Sequence, residues 1–380
     1  PLKDIPHQKG LSNLSATDAI LEYHFMDINR YILSMSILSN NSVRLNCPVY
    51  DNKLVIPYYG INIKVKSDKK MINVAIEDSA PHTLILDDKQ VIDLSDNISM
   101  FKSGEASFSD NDQITQSQSV LFSKGRLVVN AYDPCYKYEV ILPYIFPNNL
   151  KASSPNSDEL IEWEELMINT QKILLNYWPD IESVIGFYLY EIAPIKSPRI
   201  DIDISCTSKT FHGTVFCSDT EPYQMAEVLI HEFSHNLLNE VMDSYKIFDV
   251  KCLTKKEVFY SPWRPDPRHL EGILHAIYVF ERVAEYYSRL LKDDIKVGIY
   301  NYRYSLIVSR LKIAIDIMID NSILTDFGQK FIYLLNDKVN QHLKNKYYDR
   351  DLSKDEINEH YDNWIKNNKD AVKPQVGLYE

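Results

Sequence analysis

Glycine is scarce in this 380-residue chain, with ten in all. Neither G-x-G-x-x-G nor G-x-x-x-x-G-K-[ST] occurs, so the two commonest phosphate-cradling loops are excluded and nucleotide-dependent chemistry loses its usual footing. The five cysteines, Cys47, Cys135, Cys206, Cys217 and Cys252, are scattered and form no C-x-x-C pair. That spacing excludes a zinc ribbon and argues against a disulfide framework, as expected of a reducing, cytoplasmic setting. The first ten residues, PLKDIPHQKG, hold no apolar signal core, and no apolar run approaches a bilayer-spanning length. A positive balance is missing too: the formal net charge is -12. Nucleic acid and anionic membrane are therefore not expected partners. The nearest approach to a basic patch, Lys64, Lys66, Lys69 and Lys70, is interrupted by Asp68 and reads as a solvated strand end.

What is present is ordinary globular material, 45% apolar and 25% charged, enough for one large domain or two smaller ones. Apolar spacing predicts a helix over 16–38, with Ile20, Leu21, Phe25, Ile28 and Ile32 among its apolar positions. Short β-rich runs follow, at 43–45, 54–56, 61–65, 83–86, 127–129 and 138–142, with turn residues between them. Residues 103–119 are polar and read as an exposed loop. Prolines and asparagines at 147–156 mark a boundary, giving a β-rich part over 1–150 and a second part over 151–380. An amphipathic helix is expected over 157–175, strands at 200–204 and 211–217, and mostly helix from 269 to about 368. The fold class is α+β, a β-rich N-terminal part followed by a mostly helical one.

The strand at 211–217 leads into Val228-Leu-Ile-His-Glu-Phe-Ser-His-Asn-Leu-Leu-Asn-Glu240. Residues i and i+4 of a helix project from one face, so His231 and His235 can reach a single metal ion. Ser218 and Glu221 suggest a capping box, with Pro222 in the first turn. Val228, Leu229, Phe233, Leu237 and Leu238 give the helix an apolar face distinct from the histidines. H-E-x-x-H is short enough to arise by chance, and two imidazoles do not complete a site. The extended metzincin pattern is absent, since Leu238 and Val241 occupy its later positions. A third donor can come from Glu257, Glu271, Glu281 or Glu285. It can also come from His275, on a stripe with Glu271, Tyr278, Arg282, Glu285 and Arg289, opposite Ile273, Leu274, Ile277, Phe280 and Ala284. Five of the ten histidines fall between 212 and 275, which favours His275.

Between the two helices lies Phe259-Tyr-Ser-Pro-Trp-Arg-Pro-Asp-Pro-Arg268, where three prolines stiffen a segment bearing Trp263, Arg264 and Arg268. Two chemistries remain open. Zinc with Glu232 as general base would hydrolyse amides, whereas iron(II) with open positions would serve an oxygenase. The order of four segments resembles the HExxH-type iron(II)/2-oxoglutarate peptide β-hydroxylases, described as HExxH peptide-modification proteins of ribosomal peptide pathways. These are Phe211–Phe216, Ala226–His235, Phe259–Arg268 and Gly272–Phe280; Leu324–Phe331 and the Trp364 region add to the likeness, which covers roughly 155–370. The sequence departs from the pattern just after the second histidine, where Asn236-Leu237 stands in place of an expected basic residue.

The resemblance implies a zincin-like metal-binding domain in which His231, His235 and His275 hold Fe(II). It further implies that Arg264 and Arg268 grip the co-substrate 2-oxoglutarate, that O2 is consumed, and that Glu232 serves the metal indirectly. A precursor peptide is the implied substrate, hydroxylated at a side-chain β-carbon. The strand at 211–217 is expected to offer it an edge, and the N-terminal part to hold its leader. Two other readings stay open: a gluzincin-type zinc metallopeptidase, and a non-catalytic peptide-binding protein with a structural metal. His360-Tyr361-Asp362, formally the H-x-D of jelly-roll oxygenases, sits in a charged helical stretch and is expected to be plain helix surface.

Overall fold

A computed structural model of the chain describes residues 16–49, 52–66, 69, 71–87, 90–103, 114–116, 118–129, 151–153, 155–196, 204–209, 212–250, 257–293, 297–369 and 371. Helix and strand are both well represented, with the strands concentrated toward the N-terminus and helices dominating the C-terminal part. No helix among the described residues is long and apolar enough to cross a membrane. The chain forms two compact units, one of Pro1–Gln171 with Glu182–Met225 and the other of Lys172–Ile181 with Ala226–Glu380. The boundary expected at 150/151 adjoins residues 130–150, which, with the strand expected at 138–142, lie outside the described residues.

The first unit starts with helix α1 (Ala16–Ser39). Leu33 and Ile37 are fully buried, while Ile28 and Ile32, expected on the apolar face, are 48% and 41% exposed. Over residues 28–39 the buried face is thus a different one from that which the spacing suggested. Beneath it lies an antiparallel sheet of β1 (Val43–Pro48), β4 (Met71–Glu77), β5 (Ala80–Leu86) and β6 (Gln90–Asp93), in that order, with helix α2 (Ser95–Ser103) following β6. A second sheet pairs β2 (Lys53–Ile56), β3 (Ile61–Lys64) and β7 (Ile114–Gln116). Leu54, Ile56, Ile61, Ile63, Val74 and Leu84 join Leu33 and Ile37 in one apolar core. The polar stretch 103–119 is therefore not a loop throughout. It supplies β7 and the start of β8 (Gln118–Phe122), and Gln116 is buried, accepting from Asn97 Nδ2 at 3.0 Å.

The third sheet is mixed. β8 forms a hairpin with β9 (Gly125–Val129); β9, β11 (Glu191–Lys196) and β13 (Thr214–Cys217) run parallel. β10 (Lys151–Ala152) pairs antiparallel with β11, and β12 (Ser205–Cys206) pairs antiparallel with β13. β13 is thus an interior strand, contrary to the free edge expected of it. β11 takes one side; on the other, β12 pairs with Phe216 and Cys217, and Thr207 Oγ1 donates to the Thr214 carbonyl at 3.1 Å. All four of its residues are buried, as suits a strand paired on both sides. Helix α3 (Ser157–Tyr177) opens with a reciprocal cap. Asn156 Oδ1 accepts from the amides of Asp158 and Glu159 at 2.9 and 3.1 Å, and Glu159 Oε2 accepts from the Asn156 amide at 2.7 Å. Helix α4 (Pro179–Tyr188) follows directly.

Helix α5 (Pro222–Ser244) begins in the first unit and continues into the second, where it is followed by α6 (Leu270–Leu290), α7 (Val297–Asn321), α8 (Asp326–Leu343) and α9 (Lys354–Asn367). Thr325 caps α8 by accepting from the Gly328 amide at 3.0 Å. Gly328 has no room for a side chain, since a Cβ there would lie 2.1 Å from the Ile247 carbonyl oxygen. From Tyr245 a row of near-parallel rings runs through Phe327 and Phe331 to Tyr278, over whose ring Arg282 lies 4.0 Å from the centroid.

Candidate metal and ligand site

Helix α5 starts at Pro222, and the Glu221 carbonyl accepts from the Met225 amide at 2.8 Å. Ser218 does not cap it. Its hydroxyl accepts from the Ile204 amide at 3.0 Å, so it is committed to the chain beside β13. Met225, Ala226, Leu229, Ile230, Phe233 and Leu238 are fully buried along α5 and fix its rotation. Leu237, expected among them, is only half-buried. His231 and His235 each keep part of their surface, with ring centroids 5.0 Å apart.

His275, 40 residues further on, comes to the same place: its Nδ1 lies 3.0 Å from Nδ1 of His235, with the rings 29° from parallel. Burial pulls the His231 pKa down to about 4, with Glu227 acting against the shift and Arg303 adding to it. Burial likewise holds His235 well below the usual histidine range, helped by the two neighbouring imidazoles. Both rings are therefore neutral near pH 7. Neutral imidazole is the form that ligates a metal. It is also the form in which one ring can donate Nδ1–H to the other, and such a hydrogen bond satisfies the His235–His275 pair as it stands.

For metal–nitrogen bonds of about 2.1 Å, two donors at right angles around the ion are about 3.0 Å apart. The His235–His275 pair has that separation. Among the described residues, however, no group of three or more His, Cys, Asp or Glu side chains is arranged around a common point. The donor chemistry of the three histidines fits a metal ion, and closing a three-histidine set requires the nitrogens of His231 to join that pair. Of the carboxylates considered as alternative donors, Glu285 pairs with Arg289 at 2.8 Å and Glu281 with His342 at 3.6 Å, while Glu257 and Glu271 are exposed. Glu232 is 3% exposed on the interior side of α5.

The 259–268 segment is closed at its base. Phe259 and Arg268 exchange backbone hydrogen bonds of 2.8 and 3.0 Å. Tyr260 is buried against Tyr361 and Trp364 and shares a 2.9 Å hydrogen bond with Nδ1 of His360. His360 is thus half-buried and turned toward Tyr260, not the plain surface histidine expected; burial, then Arg310, lowers its pKa. Asn368 Nδ2 donates to the Pro265 carbonyl at 2.9 Å, tying the far side of the segment to the end of α9. Arg264 and Arg268 flank one carboxylate, with Nε atoms 3.4 and 2.9 Å from Asp266, and both are more than a third exposed. A carboxylate ligand would have to share or replace Asp266 to engage them.

Trp263 lies flat on Phe280, 4.7 Å between centroids and 3° from parallel, and Phe280 meets His231 nearly edge-on at 5.1 Å. Phe280, expected on the buried side of α6, is instead half-buried next to the imidazole, while Tyr278 from the expected polar stripe is 6% exposed. The cause is that α6 is covered on most of its circumference, so an apolar/polar split does not identify the face nearest the histidines.

A cluster that sequence reasoning missed lies one turn before His231. The buried Glu227 carboxylate accepts from Tyr287 Oη at 2.5 Å and from Arg303 Nε at 3.0 Å, and pairs with Arg303 Nη2 as well. Burial, then the Glu227 carboxylate, raises the Tyr287 pKa. For Arg303 burial opposes the charge, yet Glu227 and Tyr287 outweigh it and hold the pKa up. The only signal in the sequence was the continuation of the i, i+4 row back from His235 through His231 to Glu227.

No family model and no curated protein matches the chain.

Proposed function

We propose that the chain is an iron(II)- and 2-oxoglutarate-dependent hydroxylase acting on a side-chain β-carbon of a ribosomally made precursor peptide. The observation that carries the metal assignment is the approach of His275 to His235, nitrogen to nitrogen at 3.0 Å, on the helix that also bears His231. The choice of iron and of a peptide substrate rests on the resemblance of the 259–268 and 272–280 segments. Iron with 2-oxoglutarate and O2, when bound, would supply oxidative decarboxylation coupled to insertion of one oxygen into a C–H bond.

The residues of the chain then have separate tasks. His231, His235 and His275 are the ligands, the first two kept neutral by burial. Arg264 and Arg268 bind carboxylate by paired N–H donors. Phe280 and Trp263 wall His231 with aromatic surface and limit the approach of water. Glu232, buried behind the ligands, braces their helix and does not act as an amide-cleaving base.

The test is anaerobic titration of Fe(II) and then 2-oxoglutarate, watching for a metal-to-ligand charge-transfer band. His275→Ala should abolish tight iron binding, and Arg264→Ala or Arg268→Ala should weaken 2-oxoglutarate more than the metal. Co-expressed precursor peptide should gain one oxygen by mass spectrometry. Absence of the band, together with peptide cleavage by the zinc form, would replace this reading with a metallopeptidase in which Glu232 is the base. Metal binding with no turnover of either kind would leave a peptide-binding protein with a structural metal.

A further inference from the structure

The one polar atom of the Trp263 side chain is the indole Nε1, and it is shielded from solvent without a hydrogen-bond partner among the described residues. An indole N–H can only donate, so only an acceptor atom satisfies it, and a bare donor in a dry place is destabilising. The stack on Phe280, 4.7 Å away and 3° from parallel, uses the ring faces alone, and a phenyl ring would stack there as well. The N–H therefore contributes nothing to the packing that holds the ring. Trp364 also has an unpartnered indole nitrogen, but that side chain is 1% exposed within the Tyr260 cluster. Trp263 keeps part of its surface open and is joined through Phe280 to His231.

We infer that Trp263 is a ligand-binding residue whose Nε1–H donates to a carboxylate oxygen of the 2-oxo acid held at the histidine site. The inference rests on the function proposed above and adds a neutral donor to its charged ones. A carboxylate suits the segment because Arg264 and Arg268 share the single Asp266, leaving an excess positive charge next to Trp263 in sequence. A carbonyl oxygen of the peptide substrate has the same acceptor chemistry, and the experiment separates the two sources.

Trp263→Phe keeps an aromatic face for Phe280 and removes only the donor. Anaerobic protein loaded with Fe(II) should bind metal as the unaltered protein does, and its charge-transfer titration should show 2-oxoglutarate bound about tenfold more weakly. In a second measurement, zinc-substituted protein labelled with 15N in the indoles carries four such groups, at Trp163, Trp178, Trp263 and Trp364. Adding 2-oxoglutarate should move the Trp263 N–H resonance downfield and leave the other three. The resonance is assigned from Trp263→Phe, or from Trp263→Tyr if the first variant does not fold. Equal 2-oxoglutarate affinity in the variant with a stationary resonance overturns the inference alone. So does a resonance that moves only on adding peptide, which assigns the donor to the substrate. Unaltered protein that gives no charge-transfer band overturns the functional reading and this inference together.

Discussion

Removing the Glu227 carboxylate is the sharpest test of what holds the histidine helix in place. Glu227→Ala leaves the Tyr287 hydroxyl and two Arg303 nitrogens without their acceptor. Deleting one member of a fully buried ion pair costs about 3–5 kcal/mol. The side chain of Arg303 is 44% exposed, however, so its guanidinium can turn to water and most of that penalty is relieved. Tyr287 is 4% exposed and cannot turn to water; its orphaned hydroxyl costs about 1–3 kcal/mol. The expected loss is about 2–3 kcal/mol. Arg303→Met should cost at least as much, because Glu227, with 8% of its side chain exposed, is the member that cannot reach solvent. Tyr287→Phe, which leaves the ion pair intact, should cost about 1 kcal/mol. Urea denaturation followed by tryptophan fluorescence suits the measurement, since Trp178, Trp263 and Trp364 lie in the same compact unit as Glu227. The double variant Glu227→Ala/Arg303→Met should be less destabilised than the sum of the singles. A Glu227→Ala loss under about 0.5 kcal/mol, or no coupling in that cycle, would show that the cluster is not a structural clasp.

Three further outcomes are expected. Stability should fall as pH drops from about 6.5 toward 4, because the unfolded chain protonates His231 while the folded ring, its pKa pulled down to about 4 by burial, stays neutral. The full loss is about 3 kcal/mol, and His231→Gln should flatten that part of a pH-dependent denaturation series. Gly328→Ala should lower the thermal midpoint, with a cost on the order of 2 kcal/mol, because its Cβ would press on the Ile247 carbonyl; an unchanged midpoint would mean that the 245–249 segment yields freely. Asn156→Ala removes the cap of α3 and should cost about 1 kcal/mol by chemical denaturation, whereas Asn156→Asp should be nearly neutral.

Local features of the sequence carried a great deal. The helix over Pro222–Ser244 follows from apolar spacing and an opening proline, and i, i+4 geometry is enough to place His231 and His235 one turn apart. Most of the β-rich runs before residue 130 became strands within a few residues of the expected limits. Interactions that span one helical turn or one hairpin are legible in this way, because the partners are fixed by backbone geometry.

Sequence alone was least informative where a residue had more than one partner to choose from. Ser218 looked like a cap, but the chain at Ile204 offered its hydroxyl an amide first. The strand before α5 was expected to offer an edge because of its place next to the histidine helix, and the approach of β12 and β11 made it interior. Phe280 and Tyr278 exchanged their expected environments because α6 is covered on most of its surface, a condition that a single helix does not encode.

The sequence by itself therefore determined the helix, its pair of histidines and the stiffness of the proline-rich segment, all within reach of local backbone geometry. Tertiary structure decided that His275 joins His235 across 40 residues, that Glu227 is bound by Tyr287 and Arg303 across 60 and 76, and that Trp263 reaches His231 through Phe280. The physical reason is that long-range neighbours are selected by which buried faces fit together, and a buried polar group can pair only with what this packing brings to it.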